Sequence, residues 1–257
     1  MRILFMGTPD IAAESLAALL DAGHEVCGVF TRRDKPVGRK QILTAPPVKQ
    51  LAVEHGLSVY QPRTLRDGSS DELIKELAPD IIVVVAYGCI IPPQLLHAAK
   101  YGCINLHVSL LPKYRGSAPI QWAVLNGFDE TGVTAMYMSA GMDEGDMIAV
   151  KKTAILPDET SEALTARLAE LGAELLSETV HAAEAGTIQA VPQDAAQATY
   201  APMLTKALSP IDWTKTCRQI QDQVRGLIPW PVATTELQGK RFKIFAVEPA
   251  ENGAGKT

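Results

Sequence analysis

Residues 81–86 read Ile-Ile-Val-Val-Val-Ala, with Asp80 before the run and Gly88 shortly after it. The run is apolar at every position instead of alternating, which indicates a strand covered on both faces, as in a parallel sheet between helices. Further short apolar runs predict strands, and segments with helical spacing separate them. This alternation favours a doubly wound α/β fold with a mostly parallel sheet.

The other elements follow from the same patterns. Strands are predicted at Arg2–Met6, Glu25–Phe30, Ser58–Tyr60, Gly102–Leu106, Gly132–Ser139 and Met147–Ile155. Helices are predicted at Ile11–Leu20, Pro47–His55, Asp71–Ala78, Gln94–Ala99 and Ala118–Asn126. Asp158 or Thr160 can cap a long helix that ends near Ala185.

A change in composition divides the chain. Residues 186–201 are rich in Gln, Ala, Pro and Thr with little periodicity, which is typical of a linker. Beyond it, Cys217–Gly226 predicts a helix, and Ala233–Leu237 with Lys240–Val247 predicts a hairpin. We therefore expect a first domain at 1–189, a linker at 190–205, and the start of a small, incomplete β domain at 206–257.

Composition narrows the class of protein. With 257 residues, 47% hydrophobic and 21% charged, the chain has the composition of a soluble globular protein. The amino terminus leads straight into a strand, without the pattern of a signal or transit peptide, so we expect a cytoplasmic protein. The four cysteines form no CxxC pair, and no metal site is expected.

Three polar residues stand at the ends of apolar runs. Asn105 and His107 are two residues apart on a predicted strand, so their side chains share one face. Asp143 lies in a turn between Gly141 and Gly145. An amide, an imidazole and a carboxylate are the groups that acyl transfer needs, as oxyanion donor, proton carrier and charge partner.

The same residues also have an ordinary structural interpretation. A histidine at a strand end is commonly a hydrogen-bonded structural residue, and Asp-Glu-Gly is common in turns. The unusual loop Ser109–Pro112, directly beyond His107, favours the site, because open α/β sheets bind ligands at the carboxyl ends of their strands.

The pattern Asn105-x-His107-x-Ser-Leu-Leu-Pro112-x-x-Arg115-Gly116, with Asp143 in its later turn, resembles the formyltransferases that use 10-formyltetrahydrofolate. The resemblance runs from Arg2 to about Val247. Further motifs resemble the family members that act on an initiator aminoacyl-tRNA, and they are Met6–Asp10, Ala86–Gly88 with Ile91-Pro92, Ile211–Trp213 and Pro229–Pro231.

The resemblance implies a Rossmann-like formyltransferase domain and an OB-like second domain. It implies transfer of the formyl group of 10-formyltetrahydrofolate to the α-amino group of initiator methionyl-tRNA in translation initiation. In that reaction we expect the His107 imidazolium and the Asn105 amide to stabilise the oxyanion, and the Asp143 carboxylate to favour the charged imidazole and accept the amine's proton.

Three loops are expected to bind the folate, because a flat pterin suits backbone groups between apolar walls. Two of them are candidate walls, and the third is the folate-contacting segment that the resemblance implies. The residues are Tyr87, Gly88, Cys89, Ile90, Ile91, Pro92, Ser109, Leu110, Leu111, Pro112, Gly141, Met142 and Glu144.

Basic residues concentrate in two places. Thr31–Ala45 exceeds the about 12–15 residues usual for a loop without structure of its own, and it resembles the insertion by which the tRNA enzymes grip the acceptor end. Residues 206–243 carry seven basic and three acidic groups. We expect tRNA contacts from Arg32, Arg33, Lys35, Arg39, Lys40 and Lys206, although solvated surface charge is the alternative. Arg115 could bind a substrate phosphate or form a surface ion pair.

Three other functions remain open at this point. The same site could formylate a sugar-nucleotide amine, which predicts activity on a small amine and indifference to the basic loop. It could hydrolyse formyl-folate, which predicts turnover without tRNA. The chain could also be a silent folate- or RNA-binding module, although binding alone does not require an Asp aimed at a His. A monomer is expected.

Overall fold

The computed structural model describes residues 1–38 and 40–248. Strands and helices alternate along most of the chain. In order they are β1 (Arg2–Gly7), α1 (Asp10–Asp21), β2 (Glu25–Phe30), β3 (Lys35–Val37), β4 (Ile42–Thr44), α2 (Pro47–Glu54), β5 (Val59–Tyr60), α3 (Asp71–Leu77), β6 (Ile81–Val85), α4 (Pro93–Leu96), β7 (Cys103–His107), β8 (Arg115–Gly116), α5 (Pro119–Leu125), β9 (Glu130–Tyr137), β10 (Met147–Ala154), α6 (Ser161–Ala185), β11 (Tyr200–Ala201), α7 (Cys217–Gly226), β12 (Ala233–Leu237) and β13 (Lys240–Ile244).

Seven strands form the central sheet, in the order β10-β9-β7-β6-β1-β2-β5. Five neighbouring strands of this sheet are parallel to one another, namely β7, β6, β1, β2 and β5. Strand β9 runs antiparallel to both β7 and β10. The doubly wound, mostly parallel fold is therefore confirmed. The strand order reverses between β1 and β6, and open α/β sheets bind ligands at the carboxyl edge beside such a reversal.

Strand β7 separates two layers of the core by simple alternation. Ile104 and Leu106 are buried in the larger core cluster, which also contains Leu16 of α1 and Leu168 of α6. Cys103 belongs to the cluster on the opposite face of the sheet. Asn105 and His107 alternate with Ile104 and Leu106, so both side chains lie on the Cys103 face.

The segment Thr31–Ala45, predicted as a loop without structure of its own, contains the antiparallel hairpin β3–β4. That interpretation was wrong because the hairpin carries no alternation toward a buried face. Val37, Ile42 and Leu43 are all exposed. Arg39 lies outside the described residues.

The carboxyl-terminal elements pack on the first part of the chain. A core cluster joins Ala118, at the start of α5, to Ile220, Val224 and Leu227. The Ser161 hydroxyl, at the start of α6, lies 2.9 Å from the Gly226 carbonyl oxygen and 2.7 Å from that of Ile228. Thr160 caps α6, and a capping box of Thr216 and Gln219 begins α7.

The linker is attached to the body of the protein at several points. Strand β11 pairs in parallel with β8, and the Trp122 indole donates to the Pro202 carbonyl at 2.8 Å. Among the described residues, no helix is long and apolar enough to cross a membrane. The same residues contain no His, Cys, Asp and Glu group that could hold a metal ion.

Leu106→Ala tests the layered core around β7. Leu106 is 3% exposed, and truncating such a buried leucine should lower the free energy of unfolding by about 2–5 kcal/mol. The measurement is chemical denaturation. The matched control is Leu156→Ala, because Leu156 is exposed and its truncation should change stability by no more than about 0.5 kcal/mol. Equal losses from the two variants would contradict this layering.

Candidate active site

Asn105 and His107 lie at the carboxyl end of β7 with little solvent exposure. Asn105 is 9% exposed and His107 is 6% exposed, and they pair in register with Met136 and Thr134 of β9. Within the described part of the chain, no residue is hydrogen-bonded to the Asn105 side chain. A buried amide usually has a partner, so this one is available to a ligand.

The imidazole of His107 is held from one side by the backbone. Its Nε2 lies 2.9 Å from the carbonyl oxygen of Tyr114, and because a carbonyl only accepts, Nε2 carries a hydrogen. Tyr114 has φ of 59°, an uncommon conformation for a bulky residue, and such strain is found most often at functional sites. This leaves Nδ1 as the nitrogen that faces the rest of the site.

Asp143 approaches that free nitrogen. Its Oδ2 lies 3.7 Å from His107 Nδ1, which is an ion-pair distance but longer than a hydrogen bond. The same oxygen accepts the backbone N–H of Gly116 at 2.8 Å. Gly116 has φ of 118°, and a Cβ there would lie 2.8 Å from the Ala201 carbonyl oxygen. The backbone amide therefore reaches the carboxylate only because residue 116 is a glycine.

The loop that carries Asp143 follows an unexpected path. It leaves β9 at Tyr137, whose register partner on β7 is Ile104, three residues before His107. At about 3.3 Å per residue, the loop must run back about 10 Å along the sheet face. Gly145 permits this return, since a Cβ there would lie 1.8 Å from the Tyr137 carbonyl oxygen. Asp143 thus reaches the site across the face of the sheet.

Arg115 is not a member of a surface ion pair in the described part of the chain, so that alternative was wrong, whereas its binding of a substrate phosphate stays a prediction. It is 5% exposed, and its guanidinium donates to Gln193 Oε1 from Nε at 3.0 Å and Nη2 at 2.8 Å. Gln193 was missed as a functional candidate. It lies in the predicted linker, and no sequence pattern connects it to Asp143.

The side chains of the expected folate loops differ in accessibility. Tyr87, Ile91, Pro92, Ser109 and Leu111 are buried. Gly88, Ile90, Met142 and Glu144 are exposed, and the intermediate residues are Cys89, Leu110, Pro112 and Gly141.

Two of the buried residues have structural contacts. The Ser109 hydroxyl donates to the Lys113 carbonyl at 2.7 Å. Burial of the Tyr87 side chain raises the pKa of its hydroxyl. The Tyr87 carbonyl accepts a hydrogen bond from the Thr8 hydroxyl at 2.9 Å. These contacts connect the Ser109 and Tyr87 loops to the body of the protein.

A cavity of about 400 Å³ lies against the Asp143 loop. Its volume falls within the range of about 300–1,000 Å³ usual for ligand pockets. Among the expected folate residues that the structure describes, only Glu144 lines this cavity. Its walls are Arg115, Tyr137, Met138, Ser139, Glu144, Gly145, Asp146, Gln193 and Ala195.

The residues expected to contact tRNA differ in their exposure to solvent. Arg33, Lys35, Lys40 and Lys206 are exposed, and Arg39 is outside the described residues. Arg32 is half-buried instead, and its guanidinium donates to the Cys89 thiol in an expected folate loop. Arg32 therefore lies beside the site rather than on the hairpin.

Comparisons with known proteins identify the family. Residues 1–180 match the family model described as formyl transferase, and residues 203–257 match the formyl transferase C-terminal domain. A methionyl-tRNA formyltransferase of Alkaliphilus oremlandii is 49% identical over 245 residues, which are 95% of this chain and 79% of that protein. One of Desulfotalea psychrophila is 51% identical over 248 residues, covering 96% and 77%.

Among solved structures, the N-formyltransferase of Helicobacter canadensis in complex with folinic acid and dTDP-3-aminofucose has a similar fold. The TM-score is 0.73 at 20% identity, with 95% of this chain and 86% of that chain covered. At that identity the likeness supports the fold alone. The family models and the two sequence relatives extend over nearly the whole chain, and it therefore belongs to the formyl transferase family.

Proposed function

We propose that this protein transfers the formyl group of 10-formyltetrahydrofolate to the α-amino group of initiator methionyl-tRNA. The main support for this reaction is the distance of 3.7 Å between the Asp143 carboxylate and His107 Nδ1, with Asn105 on the same face of β7 as His107. The methionyl-tRNA acceptor is supported by relatives of about 50% identity that carry that name.

The acceptor amine needs little activation. Free α-amino groups titrate near about 8, and a neighbouring ester lowers the pKa further, so much of the amine is neutral at pH 7. The larger tasks are to stabilise the tetrahedral oxyanion and to deliver a proton to the departing N10 of the folate. Both tasks fall to groups that face the reacting carbonyl.

Asn105 and His107 stabilise the oxyanion in this proposal. The Asn105 amide is available as a donor, and the imidazolium donates from Nδ1 because Nε2 is bonded to the Tyr114 carbonyl. The Asp143 carboxylate places an opposite charge 3.7 Å from His107 Nδ1. It also accepts the amine's proton, directly or through a water in the gap, and passes it toward N10.

The folate is proposed to bind along the Tyr87–Pro92, Ser109–Pro112 and Gly141–Gly145 loops. Buried side chains hold two of these loops to the body of the protein, which leaves backbone groups for the pterin edge. The cavity of about 400 Å³ adjoins the third of these loops at Glu144 and Gly145, and the proposal places part of the folate there.

The acceptor is proposed to bind where basic side chains are exposed. Lys35 and Lys40 belong to the β3–β4 region, which follows the carboxyl end of β2, and Lys206 begins the carboxyl-terminal part at 206–257. Arg33 and Arg39 complete the proposed set. We further propose that the chain works as a monomer in the cytoplasm, with 1–189 supplying the chemistry and 190–205 joining the two parts.

Asn105→Ala, His107→Asn and Asp143→Asn should each lose turnover while keeping folate affinity. Removing one oxyanion donor costs about 10²–10³ in rate, so kcat should fall by at least that factor for Asn105→Ala. Single-turnover kinetics with labelled formyl-folate and charged initiator tRNA measure the rate, and fluorescence titration measures folate binding. His55→Asn is the matched control, because His55 is exposed and distant in the sequence from Asn105, His107 and Asp143. Near-normal rates from all three variants would refute the assignment.

The double substitution Lys35→Ala with Lys40→Ala should raise the KM for tRNA and leave the KM for folate unchanged. Phosphate contacts weaken with salt, so the slope of log KM against log salt should fall by about one for each lysine removed. Lys206→Ala should act in the same direction. Lys100→Ala is the control, since Lys100 lies at the amino edge of the sheet. Unchanged tRNA kinetics in the hairpin and Lys206 variants would count against this acceptor site.

The same assay separates the competing reactions. The proposed function predicts formyl transfer only when charged tRNA is present. Release of formate without tRNA would indicate a hydrolase, and formylation of a sugar-nucleotide amine at a comparable kcat/KM would indicate the sugar enzyme. Folate binding without any turnover would indicate a binding module.

A further inference from the structure

Both the nitrogen and the oxygen of the Gln193 side-chain amide form hydrogen bonds. Its Nε2 lies 2.9 Å from the carbonyl oxygen of Asp143 and 2.8 Å from that of Gly145. Its Oε1 accepts both hydrogen bonds from the buried guanidinium of Arg115. All of its donors and acceptors are therefore used, and no other residue type offers this combination at this length.

The orientation of this amide is dictated by its partners. Carbonyl oxygens can only accept and a guanidinium can only donate, so the nitrogen must face the Asp143 loop and the oxygen must face Arg115. No carboxylate lies within ion-pair distance of Arg115 in the described part of the chain. Its charge thus strengthens the bonds to Gln193 and fixes the amide.

The backbone around Gln193 is held independently of its side chain. Val191 forms an isolated bridge with Met147, through backbone hydrogen bonds of 2.9 and 2.8 Å. Tyr200–Ala201 is paired with Arg115–Gly116 further along. A substitution at Gln193 therefore removes contacts to the Asp143 loop without detaching the linker.

We propose that Gln193 is a positioning residue for catalysis, which holds the Asp143 loop at the distance from His107 that the reaction requires. This inference rests on the proposed function, because it acts through the carboxylate of Asp143. The loop has only a few other anchors. One is the Gly116 N–H on the carboxylate itself, and another joins the Tyr137 N–H to the Asp146 carbonyl.

The expected effect is on rate rather than on binding. A displacement of about 1 Å at a reacting group can cost about 10²-fold. Without Gln193 the Asp143 carbonyl and the Gly145 carbonyl lose their shared donor, and the carboxylate loses its fixed distance to His107 Nδ1. We expect kcat to fall by about 10- to 100-fold, with little change in the KM for tRNA.

Gln193→Glu is the sharpest variant. It keeps the shape of the side chain and adds an ion pair with Arg115, but it replaces the amide donor with an oxygen that faces two carbonyl oxygens. Gln193→Leu is the second variant, which removes both sets of contacts. The control is Gln189→Leu, since Gln189 is exposed in the same segment. Thermal unfolding of each variant is measured beside its kinetics. If one of the two Gln193 variants fails to fold, the kinetics of the other still test the proposal.

A double-mutant cycle with Asp143→Asn distinguishes positioning from a general structural role. Asp143→Asn keeps the backbone carbonyl that Gln193 binds but removes the carboxylate that Gln193 positions. If Gln193 acts through Asp143, Gln193→Glu should lower kcat by less than about 3-fold in the Asp143→Asn background, compared with 10- to 100-fold in the natural chain.

The outcomes separate this inference from the proposed function. Equal losses in both backgrounds, or natural kcat in Gln193→Glu and Gln193→Leu, would overturn the role of Gln193 while Asp143→Asn still shows a low rate. A natural rate for Asp143→Asn alone would overturn the proposed site itself, and the inference with it.

Discussion

The backbone from Tyr114 to Gly116 holds the two titratable groups of the site in fixed relation. A carbonyl at one end accepts from the imidazole of His107, and an N–H at the other end donates to the carboxylate of Asp143. The parallel pairing of Arg115–Gly116 with Tyr200–Ala201 fixes the segment that supplies both. One short backbone segment therefore sets the position of both side chains.

Much of this arrangement could be predicted from the sequence. The continuous apolar run at Ile81–Ala86 predicted a parallel core strand, and the two-residue spacing of Asn105 and His107 predicted that they share a face. Those inferences rest on local periodicity, which the chain carries in its own order. The hairpin at Lys35–Thr44 was missed because both of its strands are exposed and lack a hydrophobic face.

The parts that escaped prediction depend on contacts between distant segments. The return path of the Asp143 loop depends on the register of β9 against β7, which no local pattern gives. Gln193 lies 50 residues from Asp143 in the chain, and Arg115 lies 78 residues from Gln193. The surface ion pair expected for Arg115 was wrong for the same reason, because its hydrogen-bond partner Gln193 lies in a distant segment.

The fold and the acceptor are separate questions in this family. A sugar N-formyltransferase shares the architecture at 20% identity, so the sheet and its loops do not decide which amine is used. The proposed catalytic residues Asn105 and His107 lie at the end of β7, whereas the exposed lysines expected to meet the acceptor lie on the hairpin and near Lys206.

The attachment of the linker has a consequence for how a large substrate enters. Because Val191, Gln193, Ala201 and Pro202 all contact the first part of the chain, this segment is an ordered connection rather than a free tether. A connection that is already ordered has little conformational entropy left to lose when a large acceptor binds.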